Sequence, residues 1–131
     1  MKLSSKWYEF AYDDIDSAKI MLKEGKNNNV CFFSHQSVEK AFKGFLVENN
    51  INPPRTHNLI DLCNLCIEIN PDFKQFLPAA RILNQFYIPT RYPIAPMGST
   101  SKGMPGREIA EEALDKATNI VDYFVNLERA K

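Results

Sequence analysis

Residues 107–129 read REIAEEALDKATNIVDYFVNLER, and their apolar side chains recur at intervals of three and four residues. The residues of this apolar stripe are Ile109, Ala110, Ala113, Ala117, Ile120, Val121, Phe124 and Leu127. Asp115, Asn119 and Asp122 lie on the opposite side. This spacing predicts one amphipathic helix that buries a single face against the rest of the chain.

The same helical spacing continues towards the N-terminus, and no stretch alternates as a half-buried strand would. We predict a first helix that begins after Ser4 or Ser5 as N-cap and runs to about Glu24. Gly25 is its stop signal, because glycine readily adopts the left-handed conformation that ends helices. A second helix is predicted over residues 28–48.

Pro71 and Pro78 divide the middle of the chain. We predict a third helix that is capped by Asn58 and ends near Ile69, followed by an irregular or short helical piece over residues 72–77. A further helix should begin with Pro78 in its first position. The N–H that proline lacks would have no partner within the helix at that position. Its inward-facing residues are predicted to be Ala79, Leu83 and Phe86. Helices that each carry one apolar stripe can bury these stripes together, which predicts an all-α antiparallel bundle.

The length of 131 residues predicts a single domain over residues 1–131. The chain has 16 basic and 16 acidic side chains, so it lacks the basic footprint of a nucleic-acid-binding protein. Its longest apolar runs are four or five residues, too short for a membrane span, and no signal peptide is evident. Three cysteines without a secretion signal favour a reducing compartment, and we expect a cytoplasmic protein.

Cys63 and Cys66 have the C-x-x-C spacing that is found in zinc and redox sites. They share a helical face with Leu59 and Leu62, however, which favours packing in the core. The two histidines of the chain do not recur as a metal-binding pair. We therefore assign no metal site.

The second predicted helix carries polar side chains on a face that aromatic rings border. The polar residues are Gln36, Glu39, Lys40 and Lys43, and the aromatic ones are Phe32 and Phe33. Solvated faces rarely carry two aromatic rings at one end, so this face would meet another subunit or line a pocket. The alternative is an exposed face on which Glu39 and Lys43 form an i, i+4 ion pair.

Five short motifs follow one another along the chain. They are Ala11-x-x-Asp14-x-x-x-Ala18, HQSVEKAFK at 35–43, THNL at 56–59, TRYP at 90–93 and AEEALxxA at 110–117. In this order and spacing they resemble the HEPN domain family over residues 5–127. The resemblance implies an up-and-down four-helix bundle with a short extra helix, similar to the C-terminal domain of kanamycin nucleotidyltransferase, and a homodimer.

The resemblance also implies a function. HEPN proteins are proposed to bind nucleotides, here ATP or GTP, and are often encoded beside minimal nucleotidyltransferases. We therefore expect a non-catalytic nucleotide-binding protein that acts with a separate nucleotidyltransferase partner, in a toxin–antitoxin-like module. The alternatives are a HEPN ribonuclease toxin, the one case in which we expect nucleic-acid binding, and a structural dimerisation module.

The ribonuclease branch of the family depends on an arginine followed after four to six residues by a histidine. After Arg91 those positions hold Pro96, Met97 and Gly98, and after Arg81 they hold Phe86, Tyr87 and Ile88. Without an imidazole there, RNA cleavage lacks its usual proton carrier, and we assign no catalytic residue. Cleavage would require His57 or His35 to approach Arg91 in space.

The candidate nucleotide-binding residues are Lys40, Lys43, Arg55 and Arg91 for phosphate, Tyr92 for base stacking, and Gln36 and His57 for polar contacts. Arg91 and Tyr92 lie in a long segment rich in Pro and Gly, residues 88–106, of a kind that is usually functional or disordered. In the alternative interpretation, Asp14, Glu39, Lys43 and Arg91 form an ion-pair network that fixes the bundle. Asp14 lies at the edge of an apolar stripe, so it is either a rim residue or paired with a cation from a neighbouring helix.

Overall fold

The computed structural model describes residues 3–87 and 105–130 of the chain. Five α-helices and one 3₁₀ turn account for most of these residues, and the described ranges contain no strand. The helices are α1 (Leu3–Lys23), α2 (Asn27–Glu48), α3 (Leu59–Ile69), α4 (Leu77–Asn84) and α5 (Arg107–Arg129), and the 3₁₀ turn is Pro71–Phe76. The prediction of an all-α fold is confirmed.

Two residues in the left-handed conformation end the first two helices. Gly25 has a φ of 72° after α1, and Lys26 donates its N–H to the carbonyl of Met21 at 2.8 Å. Asn50 has a φ of 62° after α2, and the N–H of Ile51 returns to the last turn of α2. These hydrogen bonds satisfy carbonyl groups at the C-terminal ends of the helices, which would otherwise lack a donor. The predicted stop at Gly25 is confirmed.

The predicted N-cap at Ser4 or Ser5 is wrong, because α1 already begins at Leu3. Ser5 lies inside the first turns of α1, and its hydroxyl donates to the carboxylate of Glu128 on α5 at 2.6 Å. Local sequence rules assign the Ser5 hydroxyl to a helix cap, but its hydrogen-bond partner, Glu128, lies 123 residues away in sequence.

The start of α3 is fixed from two sides. As predicted, Asn58 is the N-cap, and its side-chain oxygen accepts from the N–H groups of Ile60 and Asp61. The N–H of Leu59 donates to the side chain of Asn84, at the end of α4, over 2.8 Å. This bond holds the segment before α3 close to the C-terminal end of α4.

The 3₁₀ turn and α4 follow the predicted division at the two prolines, with one correction in α4. Leu83 and Phe86 are buried as predicted, whereas Ala80 is buried in place of Ala79, which is only partly covered. Ala80 and Leu83 are three residues apart and therefore share one face of α4, which is the face that the core covers.

The core lies where α1, α2 and α5 meet, with α3, the 3₁₀ turn and α4 packed along the side of α2. The rings of Phe73 and Phe124 stack in it, with centroids 4.9 Å apart. The helices α1 and α2 lie close together at Gly44, where an added Cβ would lie 2.8 Å from the Cβ of Trp7. Gly44 therefore permits a contact that any larger residue would obstruct.

The three cysteines are free, and all of them are buried. The thiols of Cys63 and Cys66 each approach a backbone carbonyl at 3.7 Å, those of Phe73 and Phe42 respectively. Both side chains therefore pack in the core, as the helical face that they share predicts. None of the helices in the described ranges combines the length and the apolar character needed to cross a bilayer.

Candidate functional site

Glu39, in the middle of α2, is the centre of a polar cluster. Its carboxylate is buried, and it accepts hydrogen bonds at 2.9 Å from Nζ of Lys43 and from Nδ1 of His57. Residues 35, 39 and 43 follow one another at intervals of four, so one side of α2 presents them together. We call the following set the Glu39 cluster: His35, Gln36, Glu39, Lys43, His57 and Tyr87.

His57 is the exposed member of the Glu39 cluster, with 51% of its side chain accessible to solvent. A carboxylate can only accept, so Nδ1 of His57 carries the hydrogen of its bond to Glu39. In the neutral ring, the lone pair therefore lies on Nε2. The imidazole also stacks on Tyr87, with centroids 4.4 Å apart and planes inclined by 12°. Two contacts thus hold a flat ring that presents a hydrogen-bond acceptor.

His35 lies beneath His57 and has no exposed surface. Its Nε2 is 2.9 Å from the backbone carbonyl of His57, and its Nδ1 is 3.0 Å from the side-chain amide of Gln36. Burial lowers the pKa of His35 below its ordinary value, although the bond to Gln36 and the charge of Glu39 act in the opposite direction. His35 therefore connects α2 to the segment that precedes α3.

The basic residues of this side of α2 are paired with carboxylates. Lys43 is itself buried, so its ion pair with Glu39 is shielded from water. Lys40 pairs with Asp14 of α1 at 2.5 Å. Burial raises the pKa of Asp14, while the bond and the charge of Lys40 oppose that rise. The two pairs neutralise much of the charge that the sequence places on this face.

Aromatic rings border the Glu39 cluster on one side. Tyr87 lies with its centroid 5.4 Å from that of His35 and 6.0 Å from that of Phe32. Phe32 in turn meets Phe33 edge to face at 5.7 Å. The face therefore combines stacked rings with polar atoms, a combination that suits a planar ligand with hydrogen-bonding edges.

The structure brings together three of the sequence-predicted site residues, Gln36, Lys43 and His57. Lys40 lies on the same helix in its pair with Asp14, and Arg55 lies in the exposed segment before α3. Arg91 and Tyr92 lie outside the described residues, as does most of the segment 88–106. In the ion-pair interpretation, the partners are Asp14 with Lys40 and Glu39 with Lys43.

Two features of the cluster were not predicted from the sequence. Tyr87 had no assigned role, although an aromatic residue just after α4 and before a proline-rich segment is a signal that could have found it. The bond between Glu39 and His57 joins residues 18 positions apart, and no local pattern encodes it. Within residues 3–87 and 105–130, no group of three His, Cys, Asp or Glu side chains could hold a metal ion.

A groove of about 420 Å³ lies elsewhere, between the first turns of α1 and the last turns of α5. Its walls include Tyr8 and Tyr12, and Tyr12 donates its hydroxyl to Asp122 at 2.5 Å. None of the residues that the sequence predicts to bind a ligand lines it. The Glu39 cluster is therefore the candidate site.

Comparison with known proteins gives a consistent result. The family model described as HEPN domain matches residues 4–128. TT1696 from Thermus thermophilus is similar in structure, with a TM-score of 0.82 and 29% identity, covering 96% of this chain and 98% of that chain. ST0689, an archaeal HEPN homologue, has a TM-score of 0.76 and 28% identity, covering 97% and 98% respectively. No curated protein matches the sequence.

Proposed function

The chain belongs to the HEPN domain family, and we propose that it is a non-catalytic nucleotide-binding protein whose ligand contacts the Glu39 cluster. The observation that supports this proposal is the state of His57, which is half exposed, bonded to Glu39 and stacked on Tyr87. A ring that is already fixed before the ligand arrives loses little conformational freedom on binding.

The nucleoside part of the ligand is the part that fits this surface. A purine base can stack on aromatic rings, and Nε2 of His57 can accept a hydrogen bond from a base or a ribose hydroxyl. The aromatic border formed by Tyr87 and Phe32, whose planes are inclined by 39°, extends the aromatic surface beyond the imidazole. These contacts would orient a nucleotide without using the charged groups of the cluster.

The phosphates require cations other than the lysines of α2. Lys40 pairs with Asp14, and Lys43 is buried in its pair with Glu39, so a carboxylate already balances the charge of each ammonium. Arg55 is exposed, and in the part of the chain that the structure describes no carboxylate pairs with it. We therefore assign the phosphates to Arg55 and Arg91, whose guanidinium groups suit bidentate contacts.

The test is calorimetric titration of the protein with ATP and GTP, with and without magnesium. We expect saturable binding that His57→Ala and Arg91→Ala weaken at least tenfold. Asn119→Ala, on the exposed side of α5, is the matched control and should bind as the wild type does. No heat at concentrations able to detect a Kd of about 0.1 mM, roughly 5.5 kcal/mol, would contradict the proposal and favour a structural dimerisation module.

We further propose that the protein is a homodimer and acts with a separate nucleotidyltransferase in a toxin–antitoxin-like module. Family membership supports this proposal, because HEPN proteins are often encoded beside minimal nucleotidyltransferases. Light scattering coupled to size-exclusion chromatography should give twice the mass of 15.0 kDa. Co-purification with a nucleotidyltransferase from a neighbouring gene tests the second part, and separate elution of the two proteins would contradict it.

RNA cleavage is the second candidate function, and the bond between Glu39 and His57 favours it. A carboxylate that orients an imidazole is the arrangement of a general base. Nε2 of His57 would take the proton of a ribose 2′-hydroxyl, whose oxygen attacks the adjacent phosphorus. The 5′-oxygen leaves with a proton from water, and the hydroxide so formed takes the proton back from His57. The products are a 2′,3′-cyclic phosphate and a 5′-hydroxyl end. His35 is fully buried and cannot serve in its place.

Cleavage of a fluorescent RNA oligonucleotide distinguishes the two candidates. The binding proposal predicts no cyclic-phosphate product from the wild type. If product forms, the ribonuclease interpretation predicts that His57→Ala abolishes it and that Asn119→Ala does not. Cleavage that survives His57→Ala would exclude both histidines, because the other one is buried.

A further inference from the structure

Hydrogen bonds at the base of the Glu39 cluster determine which nitrogen of His35 carries the hydrogen. Nε2 of His35 faces the backbone carbonyl of His57 at 2.9 Å, and a carbonyl can only accept, so Nε2 is the donor. His35 has no exposed surface, and the burial that excludes water also disfavours its charged form. In the neutral ring, Nδ1 therefore carries a lone pair and acts as an acceptor.

This tautomer fixes the orientation of the Gln36 amide. The Oε1 position of Gln36 lies 3.0 Å from Nδ1 of His35. Two acceptors at that distance repel each other, and a half-turn of the amide exchanges its oxygen and nitrogen positions. The NH₂ group must therefore face His35, and the carbonyl oxygen of the half-buried Gln36 takes the other position.

His57 presents an acceptor for a related reason. Its Nδ1–H is donated to Glu39, which leaves the lone pair on Nε2 of a half-exposed ring. Nδ1 of His35 lies 3.0 Å from the side-chain amide of Gln36, and Nε2 lies 2.9 Å from the backbone carbonyl of His57. One buried imidazole thus orients the Gln36 amide and anchors the backbone that carries the His57 ring, whose own orientation comes from Glu39 and Tyr87.

We propose that Gln36 and His57 form a pair of hydrogen-bond acceptors that selects a ligand with two neighbouring donors, and that His35 is the residue that positions them. This inference rests on the nucleotide binding proposed above. Two parts of a nucleotide have this chemistry. One is the N1–H and 2-amino edge of guanine, and the other is the 2′,3′-diol of ribose. The corresponding edge of adenine offers one donor and one acceptor and does not match.

The hydrogen positions are tested first, without any ligand. Two-dimensional ¹⁵N–¹H NMR of the imidazole rings distinguishes the tautomers of the two histidines. At pH 8 we expect a neutral Nε2–H ring for His35 and an Nδ1–H ring for His57. A His35 ring that carries hydrogens on both nitrogens at pH 7 would turn the Gln36 oxygen inward and overturn the inference.

The selectivity is tested by calorimetry with GTP, ITP, ATP and 2′,3′-dideoxy-GTP. Each lost hydrogen bond should weaken binding on the order of tenfold. If guanine is the recognised group, GTP binds more tightly than ITP, which lacks the 2-amino group, and more tightly than ATP. If the diol is recognised, the three ribonucleotides bind alike and the dideoxynucleotide binds more weakly. Equal binding of all four overturns the inference while the proposed function stands.

Variants separate positioning from folding. Gln36→Leu should lose the selectivity that the wild type shows, whereas Asn119→Ala should retain it. His35→Phe keeps a ring but has no hydrogen-bond donor, and it should also reduce the selectivity among the nucleotides. Circular dichroism checks that this variant keeps its helices. Selectivity that survives Gln36→Leu contradicts the inference. Failure of every nucleotide to bind the wild type contradicts the proposed function and, with it, this inference.

Discussion

Nδ1 of His57 donates a hydrogen bond to Oε1 of Glu39 over 2.9 Å, and this bond joins the segment before α3 to the middle of α2. The other oxygen of Glu39 accepts from Lys43 at the same distance. A buried carboxylate is stable only when its charge and its lone pairs are satisfied. The exposed imidazole and the buried ammonium therefore depend on the same side chain.

The ion pair between Glu39 and Lys43 gives a prediction for stability. Replacing Glu39 with Leu leaves the buried ammonium without a carboxylate, which should lower the free energy of unfolding by about 3 kcal/mol. The double variant Glu39→Leu/Lys43→Met removes both charges and should recover most of that loss. Urea unfolding followed by circular dichroism measures both. A loss below about 1 kcal/mol in the single variant would show that Lys43 reaches water without its partner.

Gly44 gives a prediction for helix packing. A Cβ at this position would lie 2.8 Å from Cβ of Trp7 and 3.0 Å from Cε1 of Tyr8, so α1 and α2 must separate to accommodate it. Gly44→Ala should lower the free energy of unfolding by about 1–3 kcal/mol, despite the higher helix propensity of alanine. Asn119→Ala, on an exposed part of α5, should change it by less than about 0.5 kcal/mol. If Gly44→Ala and Asn119→Ala change the free energy of unfolding equally, α1 and α2 can separate at Gly44 at little cost.

His35 gives a prediction for the dependence of stability on pH. Burial lowers the pKa of His35 below its ordinary value of 6.5. Between the lowered pKa and 6.5, the unfolded chain therefore carries a proton on His35 and the folded chain does not. The contribution of neutral His35 to the free energy of unfolding is complete above pH 6.5. It is lost as the pH falls from 6.5 towards the lowered pKa. The slope reaches at most about 1.4 kcal/mol per pH unit.

The comparison of the wild type with His35→Gln isolates this contribution. Both proteins retain His57, so its effect cancels in the difference. Denaturant titrations at pH 7.5, 6.5 and 5.5 should show a steeper loss of stability in the wild type than in the variant. Parallel curves would show that His35 accepts a proton as readily in the folded protein as in the unfolded one.

The buried thiols give a prediction for chemical reactivity. Burial raises the pKa of Cys31 to about 12 and that of Cys63 to about 11, and it also raises that of Cys66. The thiolate is the reactive form, so the native protein should hardly react with a disulfide reagent such as DTNB at pH 8. In 6 M guanidinium chloride all three thiols should react. Rapid reaction of the native protein would mean that α2 or α3, the helices that carry these thiols, opens readily from the core.

Helix positions were predictable from the sequence to the extent that one face of each helix is apolar. The bounds of α5 agree with the prediction because its apolar stripe runs almost its whole length, from Ile109 to Leu127. The start of α1 was predicted incorrectly because the partner of Ser5 is Glu128, at the other end of the chain. Spacing rules describe neighbours within a helix and carry no information on such a pair.

The candidate site was predictable in its residue types and only partly in its arrangement. The polar face of α2 identified Gln36, Glu39 and Lys43, and the resemblance to a family added His57. Which lysine pairs with which carboxylate depends on the distance between α1 and α2, as the bond from Lys40 to Asp14 shows. The stacking of Tyr87 on the imidazole likewise depends on how α4 packs beside α3.

The segment between α2 and α3 is anchored at both of its ends. The N–H of Ile51 bonds to the carbonyl of Leu46 at one end, and the carbonyl of His57 bonds to His35 at the other. Residues 52–54, between these anchors and before Arg55, are exposed or half-buried. This short span is therefore a suitable place to insert a fluorescent tag or to open the chain in a circular permutant, since both neighbouring helices keep their own attachments.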